Sequence, residues 1–142
     1  MNLAKSLNPK AIFVTEVPVR ERCGCFPGYF GDHFIQTENT IYAFAENLVV
    51  GYRGEFWDFF RVSNGGFLVA PRKALLYEVM VPFGNNYRGE MSARAAGLMV
   101  CIFAYNFLAE KTGNELFIDQ ADYLKAYADG HPEGPKIFAA ID

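Results

Sequence analysis

The spacing of apolar positions changes along the chain, and each change marks a different element. From Ala11 to Val17 a short β-branched run closed by Pro18 predicts an edge strand. Between Arg20 and Gly31 no period holds. Cysteine, glycine, proline and aromatics are mixed there, which reads as an ordered loop holding Phe26, Tyr29 and Phe30 against the core. A helical period starts at Thr40, with Asn39 or Thr40 as its cap. Ile41, Phe44, Ala45, Leu48 and Tyr52 share one stripe, and the helix is expected to end near Gly51. The pattern then turns strand-like. Trp57 to Val62 and Phe67 to Ala70 are aromatic and β-branched runs joined by Ser63, Asn64, Gly65 and Gly66. Asn-Gly between such runs predicts a hairpin, because both residues tolerate the φ > 0 of a type I′ turn. With Asn64 and Gly65 at the turn, Val62 faces Phe67 and Phe60 faces Val69, while Arg61 and Leu68 share the other face. A phosphate loop would need a helix immediately after the glycines; a strand ending at Pro71 follows instead.

Leu75 to Val81 predicts a third strand, stopped by Pro82, and Gly84 to Glu90 a polar loop leading to Ser92. Ser92 is a good N-cap for a long helix from Ala93 to about Lys111, closed by Gly113. That helix is apolar on every side, with Leu98, Ile102 and Tyr105 on one stripe and Met99, Phe103 and Phe107 on the next. It therefore reads as a central rod packed between other elements. Ala93, Ala95, Ala96 and Gly97 keep its first turns slim enough for close approach of a neighbour. Asn114 caps a further helix bearing Phe117, Ala121, Leu124 and Tyr127 and ended by Gly130, and Pro132 opens a last short helix through Ile137 and Ile141. Strands and helices are segregated. The expectation is one compact α+β domain over residues 1–142, with a small antiparallel sheet (hairpin plus third strand) packed with about four helices around the central apolar one.

Composition supports a packed globule: 51% of the 142 residues are hydrophobic, 16% aromatic and 20% charged. Net charge is -3 from 13 basic and 16 acidic residues, with no block of like charge. Mimicry of the DNA phosphate rail, about one charge per 1.7 Å of duplex, is thereby excluded. The first apolar run, Ala11 to Val14, is shorter than the hydrophobic region of a signal peptide, so a cytoplasmic protein is expected. Ala95 to Ala109, the longest uncharged stretch, is shorter than a bilayer span, and no membrane partner is expected.

Motifs for chemistry are scarce. There is no G-x-S-x-G, H-E-x-x-H, Walker or Rossmann pattern. His33 and His131 are the only histidines, and His131, between Gly130 and Pro132, reads as part of a helix end. Cys23 or Cys25 with His33 forms a candidate nucleophile and base, and supports the alternative of a small Cys/His-dependent enzyme. One residue between Cys23 and Cys25 is too short for a usual zinc pair; no metal and no cofactor are expected. Glu90, at the mouth of the long helix, suits the helix dipole better than catalysis. Arg53, Arg61, Arg72, Lys73, Arg88 and Arg94 lie among aromatics and form a candidate nucleic-acid patch.

Several segments, taken in order, carry a resemblance. Phe26-Pro-Gly-Tyr-Phe-Gly31, Tyr52-Arg-Gly-Glu-Phe-Trp57, Ser63-Asn64-Gly65-Gly66-Phe67 and Ala70-Pro71 are followed by Gly84 to Tyr87 with Gly89 and Glu90. Ser92-Ala93, Ala95-Ala96-Gly97, His131-Pro132-Glu133 and Ala139 to Asp142 complete the set. From about Arg20 onward the chain resembles the ArdB/KlcA-type antirestriction proteins. Cys23-Gly-Cys25, Arg53 and Glu55 depart from the family's usual residues. The resemblance implies a small bacterial α+β protein, often carried on plasmids or other mobile elements, with no enzymatic activity. It also implies relief of type I restriction-modification of unmodified incoming DNA, the partner being the restriction complex, directly or through its DNA. Within this set Tyr29, Phe30, Gly31, Trp57, Ser63, Asn64, Gly65, Gly66, Pro71, Gly89, His131 and Pro132 are expected to be structural. Asn85, Asn86, Tyr87, Arg88 and Glu90 are the candidate contact residues. A DNA-binding accessory protein of a mobile element is a further alternative.

Overall fold

A hairpin organises the molecule. In the computed structural model, which describes residues 11–142, strands β2 (Trp57–Val62) and β3 (Phe67–Pro71) pair antiparallel. The register is one residue away from that expected: Arg61 faces Phe67, Phe60 faces Leu68 and Phe59 faces Val69. The cause lies in the turn. Gly65 N–H donates to the Val62 carbonyl (2.9 Å) and Val62 N–H to the Gly66 carbonyl (2.8 Å), and only Gly65 takes positive φ, at 106°. Ser63 and Asn64 therefore make the turn and Gly65 a bulge after it, a three-residue connection in place of type I′. The shift exposes nothing, because every residue of β3 is buried.

The third strand of this sheet is β1 (Val14–Glu16), the predicted edge strand, shorter than expected; Val14 faces Val62 and Glu16 faces Phe60. The predicted Leu75–Val81 strand is found as β4 (Leu76–Met80), but it joins a separate sheet with β5 (Arg88–Ser92). The last three residues of the expected polar loop, Arg88 to Glu90, are thus part of β5. Its outward positions are Arg88, Glu90 and Ser92, and of the inward ones only Met91 is apolar, so no alternating apolar signal announced it.

Among the described residues, five α-helices complete the fold. The Arg20–Gly31 segment, expected as a loop, is helical: a 3-10 turn over Val19–Gly24 leads into α1 (Cys25–Phe30). Pro27 sits in the first turn of α1, where a missing N–H costs nothing. Helix α2 (Phe34–Leu48) starts before Thr40. Thr37 and Thr40 do not cap; their hydroxyls donate to the carbonyls of His33 and Gln36, each at 2.7 Å, inside the helix. It stops at Leu48 because the next residues join β4: Val49 bridges Val79, and Val50 N–H donates to the Glu78 carbonyl at 2.9 Å.

The expected caps of the later helices are present. Ser92 Oγ accepts from Ala95 N–H (3.2 Å) to open α3 (Ala93–Thr112), which Gly113 closes at φ 68°. Asn114 Oδ1 accepts from Leu116 N–H (2.9 Å) to open α4 (Glu115–Asp129). Helix α5 is Gly134–Ile141, with Pro135 in its first turn; Pro132 lies in the turn before it.

Helix α3 is the core of the domain. Leu98, Met99, Ile102, Tyr105 and Leu108 are fully buried, although Phe107 emerges at 46% exposure. Gly97, Cys101 and Tyr105, four residues apart, lie along the free edge of β3. Tyr105 Oη donates to the Phe67 carbonyl (2.7 Å), and the Cys101 thiol to that of Val69 (3.6 Å). A Cβ on Gly97 would sit 2.6 Å from Ala70 Cα. An unpaired strand edge is thereby closed by a helix. Helix α1 covers the Phe59 and Phe67 side of the hairpin: Phe26 packs edge-on against both rings, and Tyr29 stacks on Phe67 at 4.7 Å. The class is α+β, with sheets of three and two strands.

Candidate functional site

The predicted contact residues share one end of the β4–β5 hairpin but differ in what they do. Asn85 is structural: its Nδ2 donates to the carbonyls of Ala139 (2.6 Å) and Ala140 (3.3 Å), closing the C-terminal end of α5, and its Oδ1 accepts from Tyr87 N–H. Asn86 takes φ 56° and is exposed. Tyr87, half-buried, lies over Gly89, where a Cβ would meet the phenol oxygen at 2.6 Å. Arg88 reaches diagonally across the strands to Glu78, donating from Nε (2.9 Å) and Nη2 (2.7 Å). Glu90 is exposed opposite Glu78, and its carbonyl accepts from Lys136 Nζ at 3.0 Å. It neither caps α3 nor meets another carboxylate in a buried pair.

Alternation along β4 buries Tyr77 and Val79 and turns Leu76, Glu78 and Met80 outward. Together with Arg88 and Glu90 they form an open face. Glu78 is the member that sequence reading missed. Its signal, an opposite charge within reach of Arg88, depends on the strand register.

The acid that takes the mouth of α3 is Glu133. Its Oε1 accepts from Ser92 N–H (2.9 Å) and its Oε2 from Ser92 Oγ. Burial opposes the carboxylate charge, but the Ser92 hydrogen bonds, with His131 and Lys136 nearby, hold its pKa below the ordinary range. His131 Nδ1 accepts from Glu133 N–H at 3.0 Å, and burial lowers the imidazole pKa; Glu133 pulls it up and Arg94 down. The closing His131-Pro132-Glu133 segment is therefore a joint that fastens α5 to the start of α3.

The other expected structural residues have comparable tasks. Phe30 is buried between Phe67, Tyr105 and Phe117, Gly31 turns the chain at φ 52°, and Trp57 donates to Tyr52 Oη at 2.9 Å. Ser63 Oγ accepts from Phe13 N–H at 3.0 Å. Asn64 Nδ2 donates to the Tyr123 carbonyl (2.8 Å) and its Oδ1 accepts from Gly66 N–H (3.1 Å). Gly66 packs flat on Tyr123 and Leu124, and Pro71 is buried opposite Trp57.

The thiols and histidines do not assemble into a catalytic pair. Cys25 is buried, with its thiol donating to the Glu21 carbonyl (3.7 Å), and burial pushes its pKa up, away from a nucleophile's. Cys101 is fully buried and pushed up to about 12. Cys23 is exposed. His33 instead meets Asn114 Nδ2 (3.3 Å) and the edge of Phe117. Among the described residues no three His, Cys, Asp or Glu side chains come together as a metal site would require.

Nor do the six cations make one patch. Arg61 is held over Tyr29, Arg94 over Phe60 at 4.3 Å, and Arg88 on Glu78. Arg53, Arg72 and Lys73 remain, around neighbouring grooves.

Comparison with known proteins agrees with this architecture. The family model described as "Antirestriction protein" matches residues 50–142. An Escherichia coli antirestriction protein KlcA is 37% identical over 86% of this chain and 89% of its own length. A second Escherichia coli KlcA is 36% identical over 94% and 96%. A solved structure from work on KlcA and ArdB superposes with a TM-score of 0.86 at 35% identity, covering 94% of this chain and 96% of the other. KlcA and ArdB are described there as having a novel fold and antirestriction activity against type I DNA restriction systems in vivo but not in vitro. By sequence, by length and by fold, this chain belongs to the ArdB/KlcA-type antirestriction protein family.

Proposed function

We propose that this protein relieves type I restriction-modification of unmodified incoming DNA in the bacterial cytoplasm, by binding and without catalysis. The observation that carries this reading is the match to the KlcA and ArdB structure, which extends over nearly the whole of both chains. Binding is favoured over catalysis because Cys25, His33 and His131 are separately engaged, and two of the three thiols are buried. The target is the restriction complex or the DNA on which it translocates. Acidic mimicry of DNA is not the means, since 16 acids are offset by 13 bases.

The contact face is the open side of the β4–β5 hairpin with its connecting loop, where Asn86, Arg88 and Glu90 are presented, Tyr87 supports the loop from beneath by packing over Gly89, and Asn85 sets the loop on α5. The exposed Arg88–Glu78 pair contributes little to stability, which leaves Arg88 free to exchange that partner for another. Replacing Asn86, Tyr87 and Arg88 together by Ala is expected to abolish restriction relief in cells while the domain stays folded. Full relief by a folded triple variant would overturn this choice of face.

A further inference from the structure

Beyond the Leu76 end of this face, away from the connecting loop, lies a second surface that none of the structural roles above accounts for. Phe56 is 79% exposed, Leu75 91% and Leu76 59%. Scattered apolar residues on a surface are ordinary, but grouped ones mark interaction sites. Phe56 and Leu76 border two adjoining grooves of about 440 and 390 Å³ that share Gly54, Glu55 and Lys73, and Leu75 stands between the lining residues Ala74 and Leu76 in the chain. Phe56 lines the first. Leu76 and Val50 line the second, which runs to Glu78, the residue that Arg88 holds.

The walls are ordered. Glu55 Oε1 accepts from the N–H groups of Arg72 (3.1 Å) and Lys73 (2.8 Å) and from Tyr77 Oη (2.8 Å), which fixes the two bordering loops to each other. Such preorganisation lowers the entropy cost of binding. The grooves are lined by three cations, Arg53, Arg72 and Lys73, against two carboxylates, Glu55 and Glu78, both of them already engaged, in a chain that carries -3 overall. Arg53 and Lys73 are exposed and have no carboxylate partner among the described residues, while Arg72 lies 5.6 Å from the Phe56 ring centroid and 3.5 Å from Asp58.

We infer that this groove is a docking site for an acidic segment of a partner protein that inserts an apolar side chain beside Phe56. The inference deepens the proposed function, on which it rests for the partner's setting. The cations match acidic side chains, and the mixture of an aromatic ring, arginine and aliphatic side chains is that of a protein interface. Single-stranded nucleic acid fits less well. It needs exposed aromatic rings in series and a cationic track; here Phe56 is the one strongly exposed ring, while Tyr77 is buried in the groove wall and Tyr52, half-buried, is held by Trp57.

The test uses the full chain in cells carrying a type I restriction-modification system. A photo-crosslinking phenylalanine derivative is placed at position 56 and, as a control, at the exposed Ile118 of α4. The expected product at position 56 alone is a cross-link to a protein segment rich in Asp and Glu, lost when Arg53→Glu and Lys73→Glu are combined. Cross-linking to nucleic acid, to a second copy of this chain, equally at both positions, or not at all would overturn the assignment. In parallel, the folded double variant Phe56→Ala with Leu75→Ala should lose restriction relief by at least about tenfold. Undiminished relief would sink the groove and leave the antirestriction reading standing. No relief from the unsubstituted protein, together with a specific acidic cross-link, would sink that reading and leave the groove.

Discussion

Tyr105 shows how much one buried hydroxyl can decide. Its hydroxyl satisfies a carbonyl that β3 turns away from its neighbour strand, deep in the core. Tyr105→Phe keeps the ring and strands that carbonyl, which should cost about 1–3 kcal/mol, a melting temperature lower by roughly 2–12 °C at about 2–4 °C per kcal/mol. An unchanged melting curve would show that the edge of β3 is sealed without it. Gly97 was legible as a place of close approach, but its neighbour was not, since a sequence does not say which strand edge a slim helix will meet. The same holds for the thiols. Cys23 and Cys25 were alternative candidates for a nucleophile beside His33, whereas the fold buries one and exposes the other. A thiol reagent should modify Cys23 alone in the native protein and all three cysteines after denaturation; rapid native modification of two would contradict the burial of Cys25 and Cys101.

At the scale of elements, signals residing in a single side chain were readable and those depending on a partner were not. Ser92, Gly113 and Asn114 cap where expected because capping is decided within one turn. Thr40 misled for a physical reason, since a threonine hydroxyl satisfies a carbonyl inside a helix as readily as it caps one. Strand β5 was unreadable because its outward residues are charged and its inward Gly89 is filled by Tyr87. The hairpin turn was found, with its register off by one, because Asn64 spends its side chain on Tyr123 and Gly66, leaving the left-handed position to Gly65. Two substitutions test this tip. Gly65→Val places a β-branched residue at φ 106° with the Tyr123 ring 3.4 Å away, and should lower the melting temperature and, through it, activity. Gln120→Leu removes the acceptor for Phe67 N–H (2.9 Å) and the donor to the Gly65 carbonyl (3.2 Å), and should cost about 2–4 kcal/mol. Wild-type stability in the Gln120 variant would mean that the tip is not held by α4.

Across the whole molecule, the joint of α5 with α3 makes stability depend on acid. Glu133 has a folded pKa below its ordinary value of 4.5, so its contribution is fully present above that value and is lost as pH falls through the depressed one. His131 is also lowered. Its neutral form is favoured by folding, and its contribution fades as pH drops from about 6.5 toward the folded value. Both terms have the same sign, and Glu133→Gln should flatten the fall in melting temperature on the acid side of pH 4.5; an unaltered acid limb would place the titration elsewhere. The fold class followed from the segregation of strands and helices, and the family from an ordered set of short segments. The open face and its groove did not, because they are assembled from loops and strands distant in sequence. The central claim is most directly tested by the plating efficiency of unmodified phage on cells carrying a type I restriction-modification system, with and without this protein, while host methylation is monitored. Restored plating with methylation intact is the predicted result. Unrelieved restriction in cells shown to contain the folded protein would contradict it.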